Sequence, residues 1–160
     1  MAYSITSTLI GAQPIAATSA VAMHPLGKIV TAFDPVYGEG EFIYLKGVAS
    51  TAVGLVARFD QFAGSTTLTA AGGRGPVAVA MSANVANSYG WYQIAGAAVV
   101  KAATVVANAP VYATATAGQV DDAVVAGDKI DGMVTKTADG TPSAGFAVMQ
   151  LDRPAMNGNG

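Results

Sequence analysis

The chain of 160 residues has no cysteine, so neither a disulfide framework nor thiolate chemistry is available to it. It has one histidine, His24, which excludes a zinc site built from cysteine and histidine ligands. Charge is also scarce, because Lys, Arg, Asp and Glu together make up 11% of the residues, against roughly 25% in typical proteins. These shortages point away from side-chain chemistry and towards assembly.

The few charges exclude two classes of partner. A formal net charge of −2 with eight scattered cations cannot form the basic stripe that nucleic acid requires. The same cations form no cluster for an anionic membrane surface. Residues 75–100 are uncharged, but their Ser, Asn and Gln side chains exclude a membrane span. We therefore expect no nucleic acid and no membrane as partners, and no cofactor or metal.

Small residues dominate instead, since 33 Ala, 19 Gly, 14 Thr and 8 Ser account for nearly half of the chain. A single domain of this mass has a surface of about 7,400 Å², which leaves about 400 Å² for each of its 18 charges. One side of a standard protein interface covers about 800 Å². A surface with so little charge is poorly soluble by itself, and we expect part of it to be buried in an oligomer. The alternative is that Ser, Thr, Asn and Gly supply enough polarity.

Gly and Pro interrupt the chain so often that no segment without them exceeds 13 residues, and Val and Thr fill the short runs between them. This pattern predicts an all-β fold, a compact β-barrel or β-sandwich of short antiparallel strands with an extended N-terminal arm. In residues 97–109 a helix with Val99, Ala103 and Val106 on one face is an alternative. The strands are predicted at residues 28–33, 41–48, 54–59, 66–70, 77–81, 91–94, 98–101, 111–114, 130–135 and 145–151.

The strand at 41–48 has apolar residues on both faces, which predicts that other elements cover it on both sides. Turns are predicted at residues 34–38, where a Pro follows Asp34, and at 138–141, where Asp139 precedes Gly140.

The expected organisation is an arm at residues 1–23, a β-rich body at 24–153 and a flexible tail at 154–160. The arm is uncharged and spaces apolar side chains with Ser and Thr, so its alternate residues could add to the sheet edge of a neighbour. The alternative is an ordinary first strand of the same domain. The candidate contacts in the arm are Tyr3, Ile5, Leu9 and Ile10.

No catalytic constellation emerges from the remaining polar residues. His24 has no Ser in a G-x-S-x-G elbow to serve. Glu39 and Glu41 have the i, i+2 spacing of a carboxylate pair, but a Gly-flanked turn would leave both solvated. Gly72–Gly75 lacks the Lys of a phosphate loop, and we expect a hairpin loop that presents Arg74. Four acids could serve a Ca²⁺ site or, as we expect, ordinary turns: Asp121, Asp122, Asp128 and Asp131.

Trp91 and Tyr92 are neighbours in a predicted strand, so their side chains face opposite ways. We expect one of them in the core and the other at an interface. Tyr37, in the loop at 37–41, is a further candidate contact.

Three runs, HPLGKIVTAFDPVYGEGEFIYLKGVAS (24–50), GPVAVAMSANVANSYGWYQIAGAAVV (75–100) and ATATAGQVDDAVVAGDKIDGMV (113–134), resemble capsid decoration, or cement, proteins of tailed bacteriophages. The resemblance covers roughly residues 24–153 and carries no catalytic residues. It implies a β-rich body that forms a homotrimer, binds the major capsid protein on the outer face of the shell and uses a terminal arm to reach across capsomers. The protein would then be found in the virion, and in the host cytoplasm during assembly.

Three functional hypotheses follow. The first is a non-enzymatic virion protein that stabilises a capsid by bridging its coat subunits, each modest contact being multiplied by symmetry. The second is a tail-associated or capsid-surface host-recognition module whose loops at 37–41 and 72–75 bind a glycan. The third is a small hydrolase that uses Glu39 and Glu41.

Overall fold

The computed structural model describes residues 1–158, and its regular structure there consists entirely of β-strands, which confirms the predicted all-β class. All strand pairs are antiparallel and join into one sheet that does not close on itself. The strands are β1 (Ser4–Ile5), β2 (Thr18–Ser19), β3 (Ile29–Asp34), β4 (Gly38–Lys46), β5 (Val56–Asp60), β6 (Ser65–Leu68), β7 (Arg74–Ala80), β8 (Tyr89–Lys101), β9 (Pro110–Ala113), β10 (Val120–Asp121), β11 (Lys129–Thr135) and β12 (Phe146–Asn157).

Every predicted strand overlaps an observed one, but two of them are a single strand. The segments predicted at 91–94 and 98–101 are both part of β8, which continues through Gly96 at a φ of 94°. There is no space for a side chain at Gly96, because a Cβ would collide with the carbonyl oxygen of Glu39. A glycine in a strand often marks such a close approach rather than an end. The alternative helix at 97–109 is wrong, because residues 97–101 are the last residues of β8.

β8 changes partners along its length, and this divides the core. Its first residues pair with β4 and β7, and the residues after Gly96 pair with β12. The apolar side chains around its first part include the four aromatic residues that are 0% exposed, and we call these two clusters the aromatic region. The cluster around its second part contains only Val, Ala, Ile, Leu and Met, and we call it the aliphatic region. The aromatic residues are Phe42, Tyr44, Trp91 and Tyr92.

The aromatic region forms on both faces of β4. Phe42 and Tyr44 contribute to one cluster and Ile43 and Leu45 to the other, and all four are at most 1% exposed. The predicted double coverage of this strand is therefore confirmed. Residues 42–45 are all large and apolar, so both faces of β4 carry side chains that have to be buried. A strand covered on one face could bury only half of them.

The N-terminal segment lies on its own body, so the expectation of a separate arm is corrected in favour of a first strand of the same domain. β1 pairs with β3, and the side chains of Tyr3, Ile5 and Leu9 pack against the aromatic region. Ile15 is buried in that region. The segment is uncharged because it covers the core of its own chain.

The predicted flexible tail at 154–160 is also corrected, because Pro154 to Asn157 complete β12. Ala155, Met156 and Asn157 pair with the first residues of β7, and Met156 is buried. The expectation for Asn159 and Gly160 falls outside the described residues.

Both predicted turns are present. Asp34 closes the first by accepting hydrogen bonds from the amides of Val36 and Tyr37. The second contains Asp139 and Gly140 in the connection of the β11–β12 hairpin. Gly72–Gly75, however, is not a hairpin loop, because β6 and β7 do not pair with each other and instead flank β5 on its two sides.

Candidate functional site

The main candidate for a functional surface is a group of exposed apolar side chains at the end of the sheet where β4 finishes. We call it the apolar end and define it by Val21, Met23, Leu26, Phe62 and Val85. Phe62 is completely exposed and Val21 is 69% exposed. Monomeric proteins rarely leave large apolar side chains so exposed in one region, and such patches mark interaction sites.

Backbone contacts bring three loops together to make the apolar end. The amide of Lys46 donates to the carbonyl of Gly64, and the amide of Gly47 donates to the backbone carbonyl of Ser88. Gly64 packs so closely on Leu26 that it has no space for a Cβ, and Gly27 lies against Gln61. The loops at 20–27, 61–64 and 81–88 are therefore held side by side by the last residues of β4.

None of these three loops contains Lys, Arg, Asp or Glu. The nearest charges in the chain, Lys28, Lys46 and Asp60, stand at the strand ends next to the loops. An apolar centre with charge only at its margin is the usual composition of a protein interface.

Buried polar groups beneath the apolar end fix the loop at 20–27. Gln13 is 7% exposed, and its side-chain oxygen accepts a 2.7 Å hydrogen bond from the hydroxyl of Tyr44. That hydroxyl in turn accepts from the amide of Met23. The Trp91 indole N–H donates to the backbone carbonyl of Gln13. The backbone N–H of Gln13 in turn donates to Nε2 of His24. His24 thus has a structural role in the core, where it is 8% exposed and its Nε2 accepts a hydrogen bond.

Burial changes the acidity of the tyrosines in this network. The pKa of Tyr44 is raised by burial, and so is that of Tyr92, whose hydroxyl accepts from the Asn84 side chain. Burial raises the pKa of Tyr3 to about 12, and its hydroxyl donates to the carbonyl of Ala97. All three hydroxyls are therefore neutral hydrogen-bonding groups that hold the fold together, those of Tyr3 and Tyr44 as donors.

The predicted contacts of the N-terminal segment divide into two groups. Tyr3, Ile5 and Leu9 are half-buried against the aromatic region, and the Tyr3 ring meets the Phe42 ring edge-on at 4.8 Å between centroids. Only Ile10 remains fully available for a partner, because it is 97% exposed.

The remaining predicted contacts do not gather in one place. Trp91 and Tyr92 are both 0% exposed, so the expectation that one of them reaches an interface is wrong. They do face opposite ways, as predicted, but both faces of this part of β8 are covered. Tyr37 is half-buried in the turn after Asp34, and Arg74 is exposed at the start of β7.

A second apolar region lies at the β9–β10 edge and includes Val106, Val124 and Val125. It differs from the apolar end because charges are interspersed with it. Asp122 accepts a hydrogen bond from the amide of Val106, and Lys129 forms a 2.9 Å ion pair with Asp131 nearby. This ion pair lowers the pKa of Asp131 and raises that of Lys129.

The carboxylates singled out in the sequence have separate structural partners. Asp128 is buried and accepts from the amide of Gly72, while Asp121 accepts from Ala123. Residues 1–158 contain no group of three metal-ligating side chains. Glu39 and Glu41 lie on β4 rather than in a turn, and Glu41 is bound by Arg153 at 2.8 Å.

Within residues 1–158 no helix has the length and apolarity that a membrane crossing needs. Comparisons of the chain with protein-family models, with curated proteins and with solved structures found no match.

Proposed function

We propose that this protein is a non-enzymatic virion structural protein that decorates and stabilises a bacteriophage capsid by bridging subunits of the major capsid protein as a homotrimer. The observation that carries the proposal is the uncharged apolar end, in which Phe62 is fully exposed. Burying an exposed Phe or Leu side chain contributes about 1.5–3 kcal/mol, and repetition over many copies multiplies a modest contact.

The low charge of the whole surface supports the same function. The accessible surface of 7104 Å² divided among 18 charged side chains gives about 395 Å² per charge. A surface with so few charges promotes association. The bacteriophage context, the trimer and the capsid partner rest on the resemblance of residues 24–50, 75–100 and 113–134 to decoration proteins.

The two glutamates that could serve a hydrolase give little support to an enzyme. A general acid of the glycosidase type needs a desolvated, protonated carboxyl, but Glu39 is exposed and Glu41 is paired with Arg153. The two loops suggested for the glycan-binding alternative do not form one common site, because they line different cavities. Tyr37 lines one together with Met1 and Pro35, and Arg74 lines another.

Sedimentation with capsids that lack the protein tests the proposal. We expect the wild type to co-sediment and Phe62→Ser to bind at least tenfold more weakly. Val124→Ser is the matched control, because it removes another exposed apolar side chain far along the chain from the apolar end. Light scattering on all three proteins should give about three times 15.9 kDa. A stable wild-type monomer at micromolar concentration would contradict the trimer, and undiminished binding of Phe62→Ser would contradict the docking surface.

A further inference from the structure

A cavity on the side of the sheet combines two arginines with several neutral hydrogen-bonding groups. It has a volume of about 430 Å³ and lies along the β5–β6 hairpin and the start of β7, within the range of about 300–1,000 Å³ of small-ligand sites. The strand register builds it, because Arg58 is directly opposite Thr67, and Asp60 is opposite Ser65. Side chains of directly opposed residues project from the same face of the sheet.

The two arginines of the cavity, Arg58 and Arg74, have no carboxylate partner in residues 1–158. The ion pairs there are Lys129–Asp131 and Arg153–Glu41. The guanidinium of Arg58 makes one long hydrogen bond, from Nη1 to the carbonyl of Arg74 at 3.3 Å, and its buried Nε has no partner. Among residues 1–158, most of the donors of these two side chains therefore have no partner.

Asp60 lines the same cavity but does not neutralise it. Its Oδ1 accepts hydrogen bonds from the amides of Phe62 and Ala63 at 2.9 and 3.0 Å, which closes the turn between β5 and β6. With two arginines and one aspartate, the cavity is positive on a protein whose net charge is −2. Bringing two guanidinium groups together is unfavourable unless an anion lies between them or water screens them.

We infer that this cavity binds a saccharide that carries a carboxylate, such as a uronate. The planar guanidinium matches a carboxylate in a bidentate geometry. Ser65, Thr67 and Gln61 supply the hydroxyl and amide groups that sugar hydroxyls bind, and Phe59 and Pro76 supply apolar surface for the C–H face of a ring. The inference does not rest on the capsid proposal, because the arginines that carry it lie outside the apolar end, although the cavity adjoins that surface at Gln61.

Calorimetric titration with a galacturonate oligomer tests the inference, and a neutral galactose oligomer, sodium sulfate and hexaglutamate serve as comparison ligands. We expect the galacturonate oligomer to bind more tightly than all three. Arg74→Gln should weaken this binding by about tenfold or more, and the affinity should fall as salt is added. Arg74 is exposed, so its replacement should leave the melting temperature unchanged.

Lys136→Gln is the matched control, because it removes one exposed positive charge away from the cavity and should not change the affinity. Equal binding of the galactose oligomer would overturn the inference, since the arginines would then have no role. Equal binding of sulfate or hexaglutamate would contradict the claim that the ligand is a saccharide. An absence of binding to the galacturonate oligomer would contradict the claim that the cavity is a binding site.

Discussion

The aromatic and aliphatic regions use the same β8 strand but achieve stability in different ways. Around Trp91 the core contains large rings with polar groups that bond specific partners, as the indole N–H does with the carbonyl of Gln13. Beyond Gly96 the apolar cluster contains only small and flexible side chains, and the buried hydroxyl of Thr135 bonds the backbone of Val106 and Ala109. The comparison indicates that specificity of packing is concentrated in the aromatic region, which also carries the apolar end.

The two regions differ because they hold different parts of the chain in place. The aromatic region has to hold the N-terminal segment and the loop at 20–27, and hydrogen bonds from Tyr44 and Trp91 do this with defined directions. The aliphatic region mainly fills the space between strands that are already registered by their backbone bonds, and Thr135 is the buried side chain there that fixes the loop at 106–109. Apolar cores of that kind tolerate changes of shape when their volume is kept.

The largest expected effect comes from removing residues 2–12. The deletion loses the packing of Tyr3, Ile5 and Leu9 on the aromatic region, about 1.5 kcal/mol or more for each. A total near 5 kcal/mol corresponds to a melting temperature lower by roughly 10–20 °C, measured by circular dichroism. Ile10→Ser is the control and should change little, because that side chain is exposed. An unchanged melting temperature of the deletion variant would instead support the hypothesis of a separate arm.

Replacing Leu45 by Ala should be the next largest change. The side chain is completely buried between β4 and its neighbours in the aromatic region, so the substitution leaves a cavity. We expect a loss of about 2–5 kcal/mol in the free energy of unfolding, measured by urea denaturation. A midpoint equal to that of the wild type would show that this face of β4 is not covered.

Gln13→Ala tests the hydrogen-bonded part of the comparison. It removes the acceptor of the Tyr44 hydroxyl and the donor to the carbonyls of Ala17 and Tyr89. Leaving such groups unpaired should cost about 2–3 kcal/mol. Met149→Leu, in the aliphatic region, should cost less than about 1.5 kcal/mol. Denaturant midpoints that rank these two variants in the reverse order would refute the difference between the regions.

The smallest expected effect is a dependence of stability on pH that comes from Asp34. Burial would raise the pKa of this carboxyl, but hydrogen bonds from three backbone amides hold it below its usual value. A group with a lowered pKa stabilises the fold above the pKa of its unfolded form, about 3.9, and this contribution is lost as the pH falls further. The donors are the amides of Ala2, Val36 and Tyr37.

Asp34→Asn should therefore be less stable than the wild type at pH 7, and the difference should shrink below about pH 4. Thermal melts at a series of pH values measure it, with the exposed Asp152→Asn as the control. A difference that stays constant down to pH 2 would show that Asp34 does not titrate in the folded protein.

Local patterns in the sequence were sufficient for the strands and turns, because alternation, Gly and Pro are properties of short segments. They were insufficient for predicting which faces of a strand are buried. The alternation of Trp91 and Tyr92 predicts opposite directions, but only the paired strands on each side reveal that both directions lead into the core. Gly96 reads as a strand end, although it is the point where β8 passes close to Glu39.

The candidate site was still less accessible to sequence reasoning. The N-terminal segment reads as an arm because its core partner, Trp91, is 78 residues away from Gln13. The apolar end consists of single apolar residues in separate loops, none of which forms a conspicuous run. One signal was available in the sequence: the loops at 20–27, 61–64 and 81–88 all lack charge, whereas charged residues stand at the neighbouring strand ends.

Hydrogen exchange measured on the free protein and on the protein bound to capsids tests the central claim, that the apolar end of the aromatic region is the docking surface. We predict slower exchange in the loops at 20–27, 61–64 and 81–88 on binding, and unchanged exchange at 122–128 beside the aliphatic region. Slower exchange at 122–128 with no change in the three loops would contradict the account.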